Sequence, residues 1–198
     1  KLKNNPYAKG ARLVLQSPNK LQGTCTTKTF VNDICHLGNC GLLFDICIRP
    51  SELNDAAKLA SLCPKTTMIL DHCGNADPYT VAGINDNPED ATYRHTRQNW
   101  LDDIHELSEF PNVVCKISGI VARAKPGWIA ENLAPTVDHC IDCFGEDRIL
   151  FGSDWPVCTA AATLLQWVIA LREIVSKRPL KLQNKLLHEN ARNIYQLV

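Results

Sequence analysis

Short apolar segments alternate with longer amphipathic segments along most of this 198-residue chain. Five of the short segments are apolar on both faces, which is typical of strands in a sheet covered by helices. They lie at residues 11–15, 42–48, 67–70, 113–117 and 148–151. Because helical spacing dominates between them, the alternation predicts β–α units and a mostly parallel sheet. The predicted fold class is therefore α/β, either a doubly wound sheet or a β/α barrel.

Polar residues at the ends of three predicted strands favour the barrel. His72 follows the third strand, Lys116 and Ser118 end the fourth, and Asp154 follows the fifth. A β/α barrel places its active site on the rim formed by the carboxyl ends of its strands. Since side chains alternate along a strand, we expect Asp71 to point away from His72 and to be structural.

Asp154 is the strongest candidate for catalysis. It lies just past an apolar strand, between Gly152 and Pro156. A carboxylate at a barrel rim can take a proton from water or hold a metal. The structural alternative is an aspartate that caps a helix or stabilises a turn.

His72 is the second candidate, because a neutral imidazole at a strand end can bind a metal or hydrogen-bond a substrate oxygen. Its alternative is a buried histidine tied to a backbone carbonyl. Candidate substrate contacts are Arg12, near the start of its predicted strand, and Arg49, Lys116 and Trp155, at or near the ends of theirs. For Lys116, a lysine that extends to solvent from the outer face is the competing interpretation.

Composition excludes several classes of function. Lys+Arg and Asp+Glu both number 21, so nothing attracts nucleic acid or an anionic membrane. No apolar run reaches the ~20 residues of a membrane span.

Several of the ten cysteines, such as Cys47 and Cys115, lie in apolar runs, which predicts free thiols in a reduced, cytoplasmic protein. The pair Cys140 and Cys143 lacks the second Cys pair that a structural zinc site usually has, and Cys140, on the apolar stripe of its helix, is interpreted as a core residue. No linker divides the chain, so we expect one domain over 1–198.

Six motifs occur in an order that closely resembles the amidohydrolase-related lactonases. They are FDICIRP (44–50), CP (63–64), LDHCGN (70–75), VCKISG (114–119), ILFGSDWPV (149–157) and ENA (189–191). This group contains sugar-lactone hydrolases, of the L-fuconolactonase and L-rhamnonolactonase kind, and 2-pyrone-4,6-dicarboxylate lactonases. The resemblance extends over nearly the whole chain. It is specific for the family and not for the substrate.

The resemblance implies a (β/α)8 TIM barrel of which this chain holds about strands 4–8. It also implies that Asp154 is the general base for water, and that His72 polarises the lactone carbonyl or binds a metal together with Asp154. Relatives use one divalent metal, zinc or manganese, or none. The family's first strand bears a His-x-His pair, which this sequence lacks. If that pair is absent, metal binding should be weak and lactonase activity lost or much reduced.

The leading functional hypothesis is hydrolysis of a small lactone by water that Asp154 activates. Its partner is a small lactone or carboxylate substrate, with no nucleic acid and no membrane. One alternative is a metal-dependent decarboxylase of the same superfamily. Another is a catalytically silent barrel fragment that acts as an assembly partner, for which a homo-oligomer is expected.

Overall fold

The computed structural model of the chain describes residues 5–84 and 91–197. Five parallel strands form its central sheet, and their order across the sheet follows their order along the chain. The strands are β1 (Gly10–Val14), β2 (Leu43–Cys47), β3 (Met68–Leu70), β4 (Val113–Ile117) and β5 (Ile149–Phe151). All five lie within one residue of their predicted bounds, which confirms the α/β class.

Helices follow the strands, as the apolar spacing predicts. They are α1 (Lys28–Asn39), α2 (Leu53–Leu62), α3 (His72–Asn75), α4 (Pro78–Val81), α5 (Arg97–Ser108), α6 (Ala130–Phe144), α7 (Leu164–Ile174), α8 (Leu180–Asn184) and α9 (Asn190–Ile194). In the described part of the chain, no helix is long and apolar enough to cross a membrane.

The outer face of the sheet packs against the helices. Phe44 and Ile46 of β2 are buried there in one apolar cluster with Trp100 of α5 and Trp167 of α7. Cys140, on the apolar stripe of α6, belongs to the same cluster, which confirms that it is a core residue. Because successive side chains of a strand point to opposite faces, the residues between these buried ones point to the inner face of the sheet.

The inner face carries apolar and charged residues side by side: in the strand register Asp45 pairs with Arg12 and Ile69, and Lys116 pairs with Leu150. Ile69, Val114 and Leu150 form a small buried cluster that packs against α9 and Tyr195. The side chain of Asn190 fixes α9 in place by donating hydrogen bonds to the carbonyls of Glu146 and Ile149, at 2.8 and 2.7 Å. The charged residues of the inner face therefore lie next to this apolar cluster, on neighbouring strands.

Three predicted segments differ in detail. The loop expected at 75–89 contains α4, because the Asp77 carboxylate caps its first turn by accepting the backbone N–H groups of Tyr79 and Thr80 at 3.0 and 2.9 Å; residues 85–90 lie outside the described part. The helix expected at 160–176 is shorter, because Thr163 begins α7 with a capping box. The helix expected at 179–197 consists of α8, a π-helical segment (Lys185–Glu189) and α9.

Candidate active site

A left-handed turn follows β3 and sets the geometry of the site. His72, Cys73, Gly74 and Asn75 all have positive φ angles, between 53° and 65°. Each non-glycine residue in this conformation costs roughly 1–2 kcal/mol. Such strain persists where the surrounding structure holds it, and it is concentrated at functional sites. The turn is therefore a marker of function independent of the residue types it carries.

Because of this turn, Asp71 and His72 do not alternate as residues of a strand would. The Asp71 carboxylate forms an ion pair with Arg12, at 2.9 Å from its Nε atom, and the imidazole of His72 lies 2.8 Å from Nη2 of the same guanidinium. The expectation that Asp71 points away from His72 is thus wrong. β3 ends at Leu70, so the alternation of a strand no longer applies at these two residues.

The hydrogen bonds of His72 define its tautomer. Arg12 can only donate, so Nε2 of His72 accepts its hydrogen bond. Nδ1 then carries the proton and donates to the hydroxyl of Ser118, at 2.9 Å. Burial, and then the positive charges of Arg12, Arg123 and Lys116, together lower the pKa of His72 to about 3. The imidazole is therefore neutral at physiological pH.

Asp154 faces His72 across the site. It lies just beyond β5 with a φ of 54°, and one of its carboxylate oxygens is 3.8 Å from Nε2 of His72. Burial raises the pKa of Asp154, while the nearby charges of Arg12, Arg123 and Lys116 oppose this rise. A carboxylate with a raised pKa is a better proton acceptor than an exposed aspartate.

Lys116 lies on the inner face of the sheet and is held by two carboxylates. Its ammonium group is 2.7 Å from Asp45 and 2.8 Å from Asp71. Burial lowers the pKa of Lys116, but the charges of Asp71 and Asp45 outweigh that effect and raise it above its usual value. Together with Arg12, these residues form a compact ionic layer beneath His72. Lys116 is therefore on the inner face and not a lysine that reaches solvent from the outer one.

A cavity of about 400 Å³ opens between the strand ends and contains the central residues of the site. Arg12, His72 and Asp154 line it together. Of the three predicted strand ends, two contribute to this lining, through His72 and Asp154. Larger cavities of about 640 and 690 Å³ exist elsewhere on the surface, but none of these three residues lines either of them. The smaller cavity is distinguished by its place at the carboxyl ends of the strands, where a β/α barrel has its active site, and by the facing side chains of His72 and Asp154.

Three further residues of the cavity escaped the sequence analysis as site candidates. Arg123 stacks on the ring of Tyr93, with 3.8 Å from its guanidinium carbon to the ring centre, and donates to the side-chain oxygen of Asn75 at 2.8 Å. Asn75 lies in the LDHCGN motif, and Arg123 lies four residues beyond Gly119 on the same rim. The positions of Asn75 and Arg123 after predicted strands indicate site residues. That their side chains meet in one cavity depends on contacts between distant parts of the chain.

Two predicted substrate contacts lie apart from this group. Arg49 pairs with Glu52 at 2.6 Å and donates to the backbone carbonyls of Ser17 and Lys20. Trp155 is 67% exposed and does not line the cavity. Substrate binding by Arg49, Lys116 and Trp155 stays a prediction, as do the roles of the cavity residues.

Around His72, the described residues do not by themselves fit a metal ion. Cys47, Asp71 and His72 place potential ligand atoms within 4.8 Å of one another. Asp71, however, is already neutralised by Arg12 and Lys116. The unprotonated nitrogen of His72, Nε2, already accepts a hydrogen bond from the guanidinium of Arg12. His72 and Asp154 offer two ligands, whereas a catalytic zinc site usually has three protein ligands.

The chain belongs to the amidohydrolase family (Amidohydro_2), whose sequence profile matches residues 36–197. It is 30% identical to an L-fucono-1,5-lactonase of Burkholderia multivorans over 155 residues, which cover 73% of this chain and 49% of that protein. The family resemblance of the six motifs is thereby confirmed. The chain spans about half the length of the curated relatives it matches.

The structural comparisons agree with this. A zinc-bound amidohydrolase from Burkholderia multivorans superposes with a TM-score of 0.81 at 26% identity, covering 96% of this chain and 65% of the other. A 2-pyrone-4,6-dicarboxylic acid hydrolase from Pseudomonas putida gives 0.69 at 20% identity, covering 95% and 63%, and shows the shared fold alone. The five-stranded sheet is therefore part of an amidohydrolase TIM barrel, as predicted.

Proposed function

We propose that this chain carries the catalytic residues of a hydrolase that opens a small lactone to its hydroxy acid. The observation that carries the proposal is the facing pair of Asp154 and neutral His72, in a small cavity that Arg12 also lines. The similarity to an L-fucono-1,5-lactonase supports a sugar lactone as the substrate class. The likeness to the pyrone-dicarboxylate hydrolase is one of fold, so that substrate remains the alternative within the family.

In the proposed reaction, Asp154 accepts a proton from the water molecule that attacks the lactone carbonyl. The carbonyl oxygen becomes an oxyanion, and the guanidinium of Arg12 stabilises it as a preorganised donor. When the ring C–O bond breaks, protonated Asp154 returns the proton to the departing alkoxide. Water and lactone thus become one hydroxy acid, whose carboxyl group releases a proton at neutral pH.

His72 contributes in this scheme by holding Arg12. Its Nε2 accepts a hydrogen bond from the guanidinium, and its Nδ1–H donates to Ser118. The ring is therefore held in place and in turn holds the guanidinium that donates to the substrate oxygen. For His72 itself to polarise the carbonyl by donation, its proton would have to move from Nδ1 to Nε2. We therefore propose Arg12 as the direct donor and His72 as the residue that positions it.

The zinc bound in the Burkholderia multivorans amidohydrolase supports a divalent metal at this site. From this chain, His72 and Asp154 would be the ligands, once Arg12 had moved away from Nε2. Because the described residues favour Arg12 in that place, the steps above are carried by side chains alone. We also propose a reduced, cytoplasmic setting, since all ten cysteines are free thiols.

The test is a substrate panel assayed with the full-length protein. The substrates are 1,4- and 1,5-aldonolactones and a pyrone dicarboxylate. The pH is held constant with added base, and the rate of base consumption with the protein is compared with the rate of spontaneous hydrolysis without it. We expect one proton released for each lactone opened. Release of CO2 from an unsaturated or aromatic acid, with no lactone turnover, would instead support the decarboxylase. If neither reaction occurs and light scattering shows an obligate oligomer, the protein is the silent assembly partner.

A further inference from the structure

We propose that Cys35 and Cys63 are a reversible dithiol–disulfide pair, with Cys35 as the thiol that reacts with an external disulfide such as oxidised glutathione. Cys35 lies in α1, and Cys63 directly follows α2. Their sulfur atoms are 2.8 Å apart. Closing to a disulfide bond of about 2.05 Å requires a movement of less than about 1 Å.

The surroundings of the two thiols give them different tasks. Cys35 is half-buried, whereas Cys63 is 1% exposed and its thiol points to the carbonyl of Val31 at 3.4 Å. Burial, and then the hydrogen bond with Cys35, raise the pKa of Cys63. Both residues line a cavity of about 260 Å³, and Lys65 places a positive charge beside it. An external disulfide therefore reaches Cys35 first.

The exchange proceeds in two balanced steps. The Cys35 thiolate attacks one sulfur of oxidised glutathione and releases one glutathione thiolate, so that Cys35 becomes a mixed disulfide. The sulfur of Cys63 then attacks the Cys35 sulfur and releases the second glutathione, which takes the Cys63 proton. The two protein thiols are oxidised, and one glutathione disulfide is reduced to two thiols.

The bond would join α1 to the loop that enters β3 from its amino end, opposite the cavity with Asp154. We therefore expect oxidation to leave lactone turnover unchanged while raising the thermal midpoint of unfolding, because a loop of 28 residues is closed in the unfolded chain. The proposal is independent of the proposed enzymatic function, and its test does not need activity.

The test equilibrates the full-length protein with glutathione mixtures of increasing oxidised fraction, blocks free thiols by alkylation and maps tryptic peptides. Trypsin gives peptides 29–58 and 59–65, which contain Cys35 and Cys63. We expect these peptides to become linked, and dithiothreitol to separate them. The link should persist in Cys40→Ser, the control in the same long peptide, and disappear in Cys35→Ser.

Cys63→Ser should stop the reaction halfway, with glutathione retained on Cys35. Absence of the linked peptides from wild-type protein at every glutathione ratio would overturn the pairing, and this readout requires no variant to fold. A link that survives Cys35→Ser would assign the bond to another cysteine. A Cys63→Ser protein without glutathione on Cys35 would overturn the assignment of Cys35 as the attacking thiol.

Discussion

Gly119→Ala should displace the imidazole of His72. Gly119 follows β4 with a φ of +70°, and a methyl group there would lie 2.6 Å from Cγ and Nδ1 of the His72 ring. Ordinary contact begins at 3.4 Å, so the ring has to retreat by about 0.8 Å. Because His72 positions Arg12 in the proposed reaction, its retreat should also displace the guanidinium, and a misplacement of ~1 Å in an active site can cost about 100-fold in rate. We therefore expect kcat/KM for the lactone to fall by roughly 100-fold.

Gly127→Ala is the matched control for this variant. Gly127 has a similar φ of +81°, but a methyl group there meets no atom within 4 Å. Both variants carry the same backbone penalty of roughly 1–2 kcal/mol, which lowers the midpoint of thermal unfolding by about 2–4 °C per kcal/mol in a chain of this size. Kinetics and thermal unfolding are measured on both. Equal kcat/KM values for the two variants would refute the claim that the position of His72 matters.

Two further predictions concern pH and the ionic layer. Burial raises the pKa of Asp154, and its carboxylate form is the active one, so kcat/KM should fall as the pH drops through a value above the usual ~3.9. Since the pKa of His72 is lowered to about 3, the pH–rate profile should show no transition near ~6.5, and one centred there would contradict a neutral His72. Lys116→Met removes the ammonium group from two carboxylates of the inner face, of which Asp71 keeps Arg12 and Asp45 keeps no cation among its described ion pairs, and should cost about 3–5 kcal/mol in urea unfolding. Lys58→Met, which breaks an exposed pair with Asp55, should cost less than about 1 kcal/mol; equal losses would refute the importance of the buried layer.

The strands and the rim were predictable from sequence because burial on both faces leaves a continuous apolar signal. Asp154 and His72 were identified as candidates for the same reason, because each is a polar residue that follows an apolar strand within a few positions. The left-handed turn at residues 72–75 was not predictable from sequence. Four consecutive residues have positive φ, but only one of them is a glycine, the residue type that indicates this conformation. The orientation of Asp71 was therefore mistaken.

The environment of Lys116 depends on strand register. Asp45 and Asp71 approach it because β2, β3 and β4 pair in one alignment, and a single sequence does not contain that alignment. Arg123 reaches the cavity through contacts with Asn75 and Tyr93, which are distant in the chain. Sequence reasoning thus identified the residues at strand ends, while their partners required the tertiary structure.

The central claim is that Asp154 activates water for lactone opening. Its most direct test is the single-turnover rate of hydrolysis at saturating lactone, measured for Asp154→Asn in the full-length protein. Asp142→Asn, which alters an exposed carboxylate paired with Arg178, is the control and should retain the wild-type rate. General-base catalysis contributes about 10²–10⁴-fold, so Asp154→Asn should lose at least ~100-fold. A rate within a few-fold of wild type would contradict the account.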